Sequence, residues 1–380
     1  MRERIGIMAY RKERGFTNGA FLKRLVQEGQ ALGVEVFLFS PQDVSVAARK
    51  IRGYVPTSTG WKSSWYSWPD MVIDHYRYYP VPKHRLYLPL RRGTLFRFAN
   101  SRFSNKLRVH QVLYQEEELQ RWLPETHIYS REKLTEMLKR YKSIYIKPTN
   151  GTGGRSILRV ERKGGSFVLY GTTKRQGKRN EVHSTLQSLT RRVEQWIESE
   201  KSGEESFFIQ QGLHLALLPN RTVDARLLIQ KDGSGQWTIT GMGMRIGQVK
   251  SSTSNLHAGG KAVRASAFLS KQFGRQKAEA IVAECRELAF QTVEKLERHY
   301  GPMMEFGFDI GIDVDGRPWI IEINPKPGRD IFRKLGQPEL YRTAVRRPME
   351  YALYLLRKQE QEESETGEEN EKEQGSACSF

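Results

Sequence analysis

The sequence predicts an α/β (α+β) protein in which a small βαβ-type N-terminal domain precedes a larger mixed domain. Its length of 380 residues exceeds what one small hydrophobic core organises, so two or three domains are expected. Strand-like apolar runs alternate with amphipathic helical patterns along most of the chain. A glycine-rich strand–loop–strand at 143–161 and a polar hairpin at 304–329 carry the residues expected to bind a ligand.

The composition is that of a soluble globular protein, with 38% hydrophobic and 28% charged residues. No apolar run approaches the ~18 residues of a membrane span. The N-terminal segment lacks the apolar core of a signal peptide, and Cys285 and Cys378 indicate neither a disulfide framework nor a zinc site. We therefore expect a cytoplasmic protein.

The charge is basic and unevenly distributed. The net charge is +19, although residues 359–380 contain eight Glu and one Lys, which leaves +26 on the rest of the chain. Such a surface attracts nucleic acid, phosphorylated ligands or acidic polymers. No helix-turn-helix, zinc-finger or RNP-type signature is present, so nucleic acid stays an alternative partner. Residues 356–380 are low in complexity and are predicted to be a disordered acidic tail.

The chain opens with a βαβ-type pattern. Ile5–Tyr10 and Val34–Phe39 have the character of strands, and Phe16–Leu32 between them has apolar residues at helical spacing. Gly15 and Gly19 are too sparse for a dinucleotide-binding fingerprint.

An aromatic segment follows, and we place a domain boundary near residue 100. With the basic residues nearby, the aromatic side chains could bind a polymer or stack on a base. Packing in a core or between domains is the alternative. The residues are Trp61, Trp65, Tyr66 and Trp68.

A lysine then stands at the start of a predicted helix. Ser104 is expected to cap this helix, which runs to Leu113 and carries Lys106 in its first turn. The helix dipole disfavours a cation there, so a ligand contact is weighed against an ordinary solvated lysine. A second amphipathic helix contains Leu134 and Leu138.

The glycine-rich segment is predicted to be a flap over phosphates. Lys147 ends a strand that leads into Gly151, Gly153 and Gly154, whose backbone amides can approach an anion, and Ser156 begins the next strand. A Rossmann turn would precede a helix, and a Walker loop needs Gly-Lys-Ser/Thr. Neither fits, and a plain glycine-rich hairpin is the alternative.

The middle of the chain supplies a helix, a strand and a connection. Leu186–Ile197 is predicted to be a helix, and Phe207–Gln211 a strand that runs into Gly212 and Leu213.

A predicted hairpin with charged side chains comes next. Thr222–Gln230 places Asp224 and Arg226 on one face through its period of two. Its partner strand ends at Arg245, and the polar loop beyond contains Asn255.

The clearest helix, Gln276–Arg298, leads into a hairpin at 304–329. Asp315-Gly316 suits a two-residue type I′ turn. Counting back from that turn places Asp309 opposite Glu322 in a close pair, with Cβ atoms roughly 4.5–5.5 Å apart. Gly307 then lies opposite Asn324.

The two faces of this hairpin differ in character. Asp309, Glu322 and Asn324 share the polar face. Two adjacent carboxylates need a cation or a shared proton, and all-oxygen ligands suit Mg²⁺. An ordinary hairpin with polar residues in water is the alternative. The other face is expected to carry Phe306, Phe308, Ile310, Ile312, Trp319, Ile321 and Ile323.

Taken in order, these residues resemble those of the ATP-grasp fold. E-I-N-P-K-P-G at 322–328 looks like the metal-binding strand of that superfamily. D-A-R…M-R…S-N-L-H-A-G-G is similar to the branch of ribosomal-protein glutamate ligases and glutathione synthetases. With N-K-L, L-P-E-T, I-K-P-T-N-G-T-G-G and I-Q-Q-G-L, the pattern most resembles the YheC/YheD family of endospore coat-associated ATP-grasp proteins. The resemblance covers roughly residues 1–355.

The resemblance implies an N-terminal domain at 1–100 and an ATP-grasp domain at 101–355. In the latter, a lid subdomain at about 140–208 and a metal-site lobe at about 213–355 would clasp ATP. Its implied site residues fall into three groups. Phosphate contacts are Lys106 and Lys147 with the flap residues Gly151, Gly153, Gly154 and Ser156; nucleoside and further cofactor contacts are Gln211, Gly212, Leu213, Asp224, Arg226 and Asn255; catalytic and metal residues are Arg245, Lys147, Asp309, Glu322 and Asn324.

The implied activity is an ATP-dependent ligase that uses one or two Mg²⁺ (or Mn²⁺) and makes an acyl phosphate. An amine or thiol then attacks this intermediate. Thr253 departs from the glutamate-ligase branch, which has arginine before S-N-L, so neither that branch's acceptor nor its product is assigned. Carboxylate and amine substrates of peptide or spore-coat origin are expected. A non-catalytic coat scaffold that keeps the ATP pocket is the alternative.

Overall fold

The structure is a computed structural model that describes residues 3–78, 82–103, 106–149, 155–175, 177–201, 205–248, 256 and 259–377. Within those ranges, no helix has the length and apolarity needed to cross a membrane. The predictions made for Ser104, Gly151, Gly153, Gly154, Thr253 and Asn255 fall outside the described residues.

The N-terminal part is built on one mixed sheet with a βαβ-type opening, as the sequence predicts. Its elements are β1 (Arg4–Met8), α1 (Gly19–Ala31), β2 (Glu35–Phe39), β3 (Val44–Ser45), β4 (Lys50–Pro56), β5 (Trp61–Ser67), β6 (Met71–Asp74) and α2 (Tyr87–Arg92). The strand order is β3-β4-β2-β1-β6, with β5 paired to β4. Strands β2 and β6 flank β1 and both run parallel to it.

A second sheet, the lid sheet, occupies the middle of the chain. Its strands and neighbouring helices are α3 (Lys106–Tyr114), α4 (Glu117–Gln120), β7 (Thr126–Ile128), α5 (Arg131–Arg140), β8 (Ser143–Pro148), β9 (Ile157–Lys163), β10 (Ser166–Thr172), β11 (Lys178–His183), α6 (Leu186–Glu200) and β12 (Phe207–Gln211). The order is β11-β10-β9-β8-β12-β7. Apolar side chains of α5 and α6 pack on one face of this sheet, which leaves the other face for the cleft.

A third sheet, the floor sheet, carries the predicted metal hairpin. The remaining elements are β13 (Val223–Lys231), β14 (Trp237–Ile246), β15 (Lys261–Arg264), α7 (Ala265–Phe273), α8 (Arg275–Tyr300), β16 (Glu305–Ile312), β17 (Pro318–Asn324), α9 (Asp330–Lys334) and α10 (Pro338–Ala377). The order is β15-β14-β13-β16-β17. The apolar stripe of α8 covers one face, with Ile281, Cys285 and Leu288 fully packed against Phe308 and Ile310.

The predicted pairing of Asp309 with Glu322 is confirmed, although the predicted turn is wrong. The connection has three residues, because Asp313 N donates to Arg317 O at 3.0 Å and Gly316 alone has positive φ, 88°. The Asp313 carboxylate accepts the amides of Asp315 and Arg317, which favours this longer turn. A bulge after Asp309 adds one residue to β17 and restores the expected register.

Because of the bulge, the faces predicted for Trp319 and Ile321 of β17 are wrong. Ile320 pairs with Ile310 and joins the apolar core, being 5% exposed. Trp319 pairs with Gly311 and therefore shares the polar face. Ile321, also predicted for the core, lines the cleft instead. The alternation that we assumed fails at the bulge, because one extra residue exchanges the faces beyond it.

Helix α10 packs into the N-terminal core, which the predicted boundary assigned to a separate domain. Met349, Ala352 and Leu356 are buried with Leu22 and Val26 of α1. Hydrophobic burial on this side of the N-terminal sheet thus joins the two parts of the chain, whereas a second cluster around Phe37, Phe39 and Tyr87 is formed by the N-terminal part alone.

The predicted disorder from residue 356 onward differs from the structure, in which α10 continues to Ala377. Glu, Gln and Lys dominate this segment and are good helix formers, so extension of an already anchored helix competes with disorder.

The aromatic segment mainly packs rather than presenting a flat binding surface. Trp61 meets the Phe16 ring at 5.2 Å, and Tyr66 stacks on Phe37 at 4.3 Å. Trp68 meets Phe96 at 5.6 Å. Trp65 is the exception and is 61% exposed.

Candidate active site

A cleft of about 1730 Å³ lies between the floor sheet, the lid sheet and the N-terminal part. Ten residues predicted for the site line it. They are Lys106, Lys147, Gln211, Leu213, Asp224, Arg226, Arg245, Asp309, Glu322 and Asn324.

The floor of the cleft is a row of charged residues in register across adjacent strands. Asp224 of β13 pairs with Arg245 of β14, and Arg226 of β13 pairs with Asp309 of β16. Asp309 pairs in turn with Glu322 of β17. Residues in register on one face are nearest neighbours, so opposite charges meet directly across the sheet.

Arg245 is held by two carboxylates. Its Nε and Nη2 each donate to Asp224 at 2.7 Å, and Nη2 also lies 3.0 Å from Asp309 Oδ2. Although burial opposes the charge, the two carboxylates together raise the pKa of Arg245. The guanidinium therefore stays positive and is fixed in direction by a bidentate contact.

Asp309 keeps one carboxylate oxygen without a hydrogen bond. Arg226 Nε lies 2.7 Å from Asp309 Oδ1, but both atoms are buried and neither meets hydrogen-bond geometry among the described residues. A buried carboxylate oxygen in this condition costs free energy unless a further partner binds it.

The donor set fits a hard divalent cation. Asp309, Glu322 and Asn324 supply oxygen ligands from paired positions of two strands. Opposite Asn324, Gly307 lets Pro327 of the following loop pack closely, since an added Cβ would lie 2.6 Å from the Pro327 side chain. The unbonded oxygen of Asp309, with the oxygen donors beside it, makes these residues suitable ligands for Mg²⁺.

Two lysines lie near the candidate metal ligands. Lys106 Nζ lies 3.3 Å from Glu322 Oε1, and Lys147 Nζ donates to Gln210 Oε1 at 2.6 Å. Burial, and secondly the positive charge of Lys106, lower the pKa of Lys147 to about 8, against an opposing effect of Glu322. Gln210 is held in turn through its Nε2, which donates to Thr126 Oγ1 at 2.9 Å.

The connection after β12 is tightly fixed to the lid sheet. Gln211 N donates to Glu125 O at 2.8 Å, and Gly212 N donates to Ser143 O at 2.8 Å. A Cβ at Gly212 would lie 2.1 Å from Ser143 Oγ and 2.5 Å from Ser143 O. This close approach explains why glycine stands between Gln211 and Leu213.

One predicted residue points away from the cleft. Ser156 is buried, and its Oγ donates to Glu200 Oε2 at 2.8 Å, which also accepts Lys174 N at 2.7 Å. Ser156 therefore supports the base of the lid in this arrangement.

Sequence reasoning missed an anchor between the N-terminal part and the metal loop. Lys326 Nζ donates to Asp74 Oδ1 at 2.8 Å and to Tyr76 O at 2.6 Å. Tyr87 and Arg91 donate to the other oxygen of Asp74. Asp74 ends a recognisable strand, but nothing in the local sequence pairs it with a lysine 252 residues away.

The chain is similar to known proteins over most of its length. The sequence profile described as YheC/D like ATP-grasp matches residues 95–355. The endospore coat-associated protein YheD of Bacillus subtilis (strain 168) is 27% identical over 345 residues, which are 89% of this chain and 74% of that protein. The endospore coat-associated protein YheC of the same strain is 23% identical over 346 residues, 89% of this chain and 92% of that protein.

The likeness extends to solved structures. A D-cycloserine synthetase, DcsG, has a TM-score of 0.54 and 12% identity, and the match covers 93% of this chain and 99% of that one. At such identity the likeness shows the fold alone. Together with the profile match, it establishes the ATP-grasp fold for this chain.

We predict that Gly212→Ala lowers the free energy of unfolding by about 1–3 kcal/mol, because the added methyl overlaps the Ser143 backbone. Denaturant unfolding would measure this. Gly233→Ala is the matched control, since its Cβ would meet only Glu350 Cβ at an ordinary 3.6 Å. Equal effects at the two positions would contradict the proposed packing.

Proposed function

The chain belongs to the YheC/D-like ATP-grasp family, and we propose that it is a Mg²⁺- and ATP-dependent ligase that activates a carboxylate as an acyl phosphate. An amine, or alternatively a thiol, then takes the acyl group. The observation that carries this proposal is the charged row on the floor sheet, in which Asp309 keeps an unbonded oxygen beside Glu322 and two lysines.

ATP is proposed to lie between the lid and floor sheets. Gln211, Gly212 and Leu213 would border the adenine, and Lys106 and Lys147 would contact the phosphates. In addition, Gly151, Gly153 and Gly154 would close over the phosphates. Asn255 would contribute a further contact to the cofactor. A phosphate would replace Gln210 as the partner of Lys147 and Glu322 as the partner of Lys106.

Asp224 is better suited to orienting Arg245 than to binding the ribose. Both of its oxygens accept hydrogen bonds from that guanidinium at 2.7 Å. A ribose contact would need an oxygen that already has a strong partner, so the contact stays a prediction. Arg226, whose Nε lies 2.7 Å from Asp309 Oδ1, would in the same way orient Asp309.

Asp309, Glu322 and Asn324 would hold one or two Mg²⁺, which neutralise phosphate charge when bound. Arg245 lines the same cleft, where Asp224 and Asp309 hold its guanidinium, and would stabilise charge on the transferring γ-phosphoryl group. No residue of the chain needs to form a covalent bond, because orientation and electrostatics supply most of the catalysis.

The reaction can be written with its bonds balanced. A substrate carboxylate oxygen attacks the γ-phosphorus, and the bond to the ADP oxygen breaks. The amine nitrogen then attacks the acyl carbon, the carbon–oxygen bond to phosphate breaks, and the amine proton passes to solvent. The products are an amide, ADP and inorganic phosphate.

We also propose an association with the bacterial endospore coat. The support is the description of both curated relatives as endospore coat-associated proteins. A scaffold that binds ATP without turnover would keep the same pocket, so catalysis is the property to test.

We predict that the wild type forms ADP, but not AMP, when MgATP is combined with a substrate carboxylate and hydroxylamine as a general nucleophile. Glu322→Gln removes a negative metal ligand and is expected to reduce ADP formation at least 100-fold. Glu294→Gln, an exposed position on α8, is the control and should retain activity. Binding of MgATP without turnover on carboxylates, including acidic peptides, would favour the scaffold.

We predict that MgATP affinity falls as pH rises above about 8. With a pKa near 8, Lys147 is charged below that pH and neutral above it, so attraction to the phosphates is lost on the alkaline side. The expected loss is roughly tenfold per pH unit between 8 and 9.5. Calorimetric titration would measure it, and Lys147→Arg should remove the slope because arginine stays charged. A slope that is unchanged in this variant would contradict the assignment.

A further inference from the structure

The cleft continues past the metal ligands to a crevice at one edge of the N-terminal sheet. Strands β2 and β6 lie on opposite sides of β1 and run parallel to it, so the strand order reverses between β1 and β6. Crevices outside the carboxyl ends of parallel strands at such a point commonly bind ligands. Here Asp74, the last residue of β6, and Tyr76 just beyond it line the cleft, and Lys326 meets them from the loop after β17.

One wall of this crevice is a stack of tyrosines. Tyr76 and Tyr87 stack at 4.8 Å, and Tyr87 and Tyr78 stack at 5.1 Å. All three line the cleft. Tyr76 and Tyr87 are nearly fully buried, and the Tyr87 hydroxyl donates to Asp74, so the stack supports the wall of the crevice from behind.

Every acidic side chain that lines the described part of the cleft has a cationic partner. An ammonium group of a ligand would therefore find no uncompensated carboxylate there, and burying it without a partner is costly. The pairs are Asp74 with Lys326 and Arg91, Asp224 with Arg245, Asp309 with Arg226, Glu305 with Arg329, Glu322 with Lys106, and Asp330 with Arg333.

Two arginines of the crevice have no such compensation. Among the described residues, no carboxylate forms an ion pair with Arg77 or Arg102, although both line the cleft. Arg77 Nη2 donates to Lys326 O at 3.0 Å, two residues beyond the ligand Asn324. Arg102 lies near the tyrosine stack, where its charge opposes the burial that raises the pKa of Tyr87. Guanidinium groups in this setting match carboxylates well.

We propose that the carboxylate substrate carries at least one further anionic group, which Arg77 and Arg102 bind, and no ammonium group within this crevice. This proposal deepens the proposed function and rests on it. The crevice can bind the carboxylate substrate only if ATP lies between the lid and floor sheets. The substrate class is thus a polyacid, of which an acidic peptide is one source, rather than a free zwitterionic amino acid.

Short capped peptides test this charge preference. The probes are acetyl-Glu-Glu-Glu-amide, its Gln₃ counterpart and its Lys₃ counterpart, titrated into the full chain at physiological ionic strength. We expect the Glu₃ peptide to bind at least tenfold more tightly than the Gln₃ peptide, and the Lys₃ peptide to bind most weakly. Arg77→Ala combined with Arg102→Ala should weaken Glu₃ binding at least tenfold.

The matched control combines Arg92→Ala with Arg97→Ala. Both arginines are exposed, belong to the N-terminal part and do not line the cleft, so the net charge changes equally. We expect less than a twofold effect. Glu₃ binding no tighter than Gln₃ binding, tighter Lys₃ binding, or equal losses in the two double variants would overturn the proposal.

A parallel titration with MgATP separates this proposal from the proposed function. If the chain prefers Glu₃ but does not bind MgATP, the proposed ligase function is contradicted and the anion site is supported. If it binds MgATP but does not prefer Glu₃, the nucleotide site is supported and the polyacid substrate is contradicted. In the Arg77 and Arg102 double variant, MgATP affinity is expected to change less than twofold.

Discussion

The position of Asp309 between two arginines and a second carboxylate is the constraint on which the site depends. An aspartate at this depth needs compensation, and Arg226 and Arg245 supply it from the neighbouring strands. Asp224 then fixes Arg245 by a bidentate contact. Because each partner comes from a different strand, the register of the floor sheet determines whether the charges meet. The apolar face of the same strands sets that register by packing against α8.

The surrounding elements have roles that follow from this row. The lid sheet brings Lys147 to the side of the cleft where its charge has only Gln210 as a hydrogen-bond partner among the described contacts. The start of α3 brings Lys106 to Glu322. From the opposite side, Asp74 holds the loop beyond Asn324 through Lys326, so the N-terminal part is joined directly to the loop that follows the candidate metal ligands.

Much of this site could be predicted from local patterns, because strand period and hairpin register are short-range properties. Asp224 and Arg226 share a face through simple alternation, and the pairing of Asp309 with Glu322 survives an incorrect turn. That survival depends on the bulge in β17, which the sequence pattern did not reveal. The bulge also moves Ile321 from the predicted core face to the cleft. Contacts that join distant segments were beyond prediction from local patterns, as the pairs of Lys326 with Asp74 and of α10 with α1 show.

The position of a bound divalent cation decides whether Asp309, Glu322 and Asn324 form a metal site. Crystals grown with Mn²⁺ and a non-hydrolysable ATP analogue would locate the ion by its anomalous signal. We predict Mn²⁺ at coordination distance from oxygens of Asp309 and Glu322, with Asn324 in the same shell. We also predict that Lys106 leaves Glu322 for a phosphate. An ion bound only by phosphates, with Arg226 and Arg245 still compensating Asp309, would contradict the account.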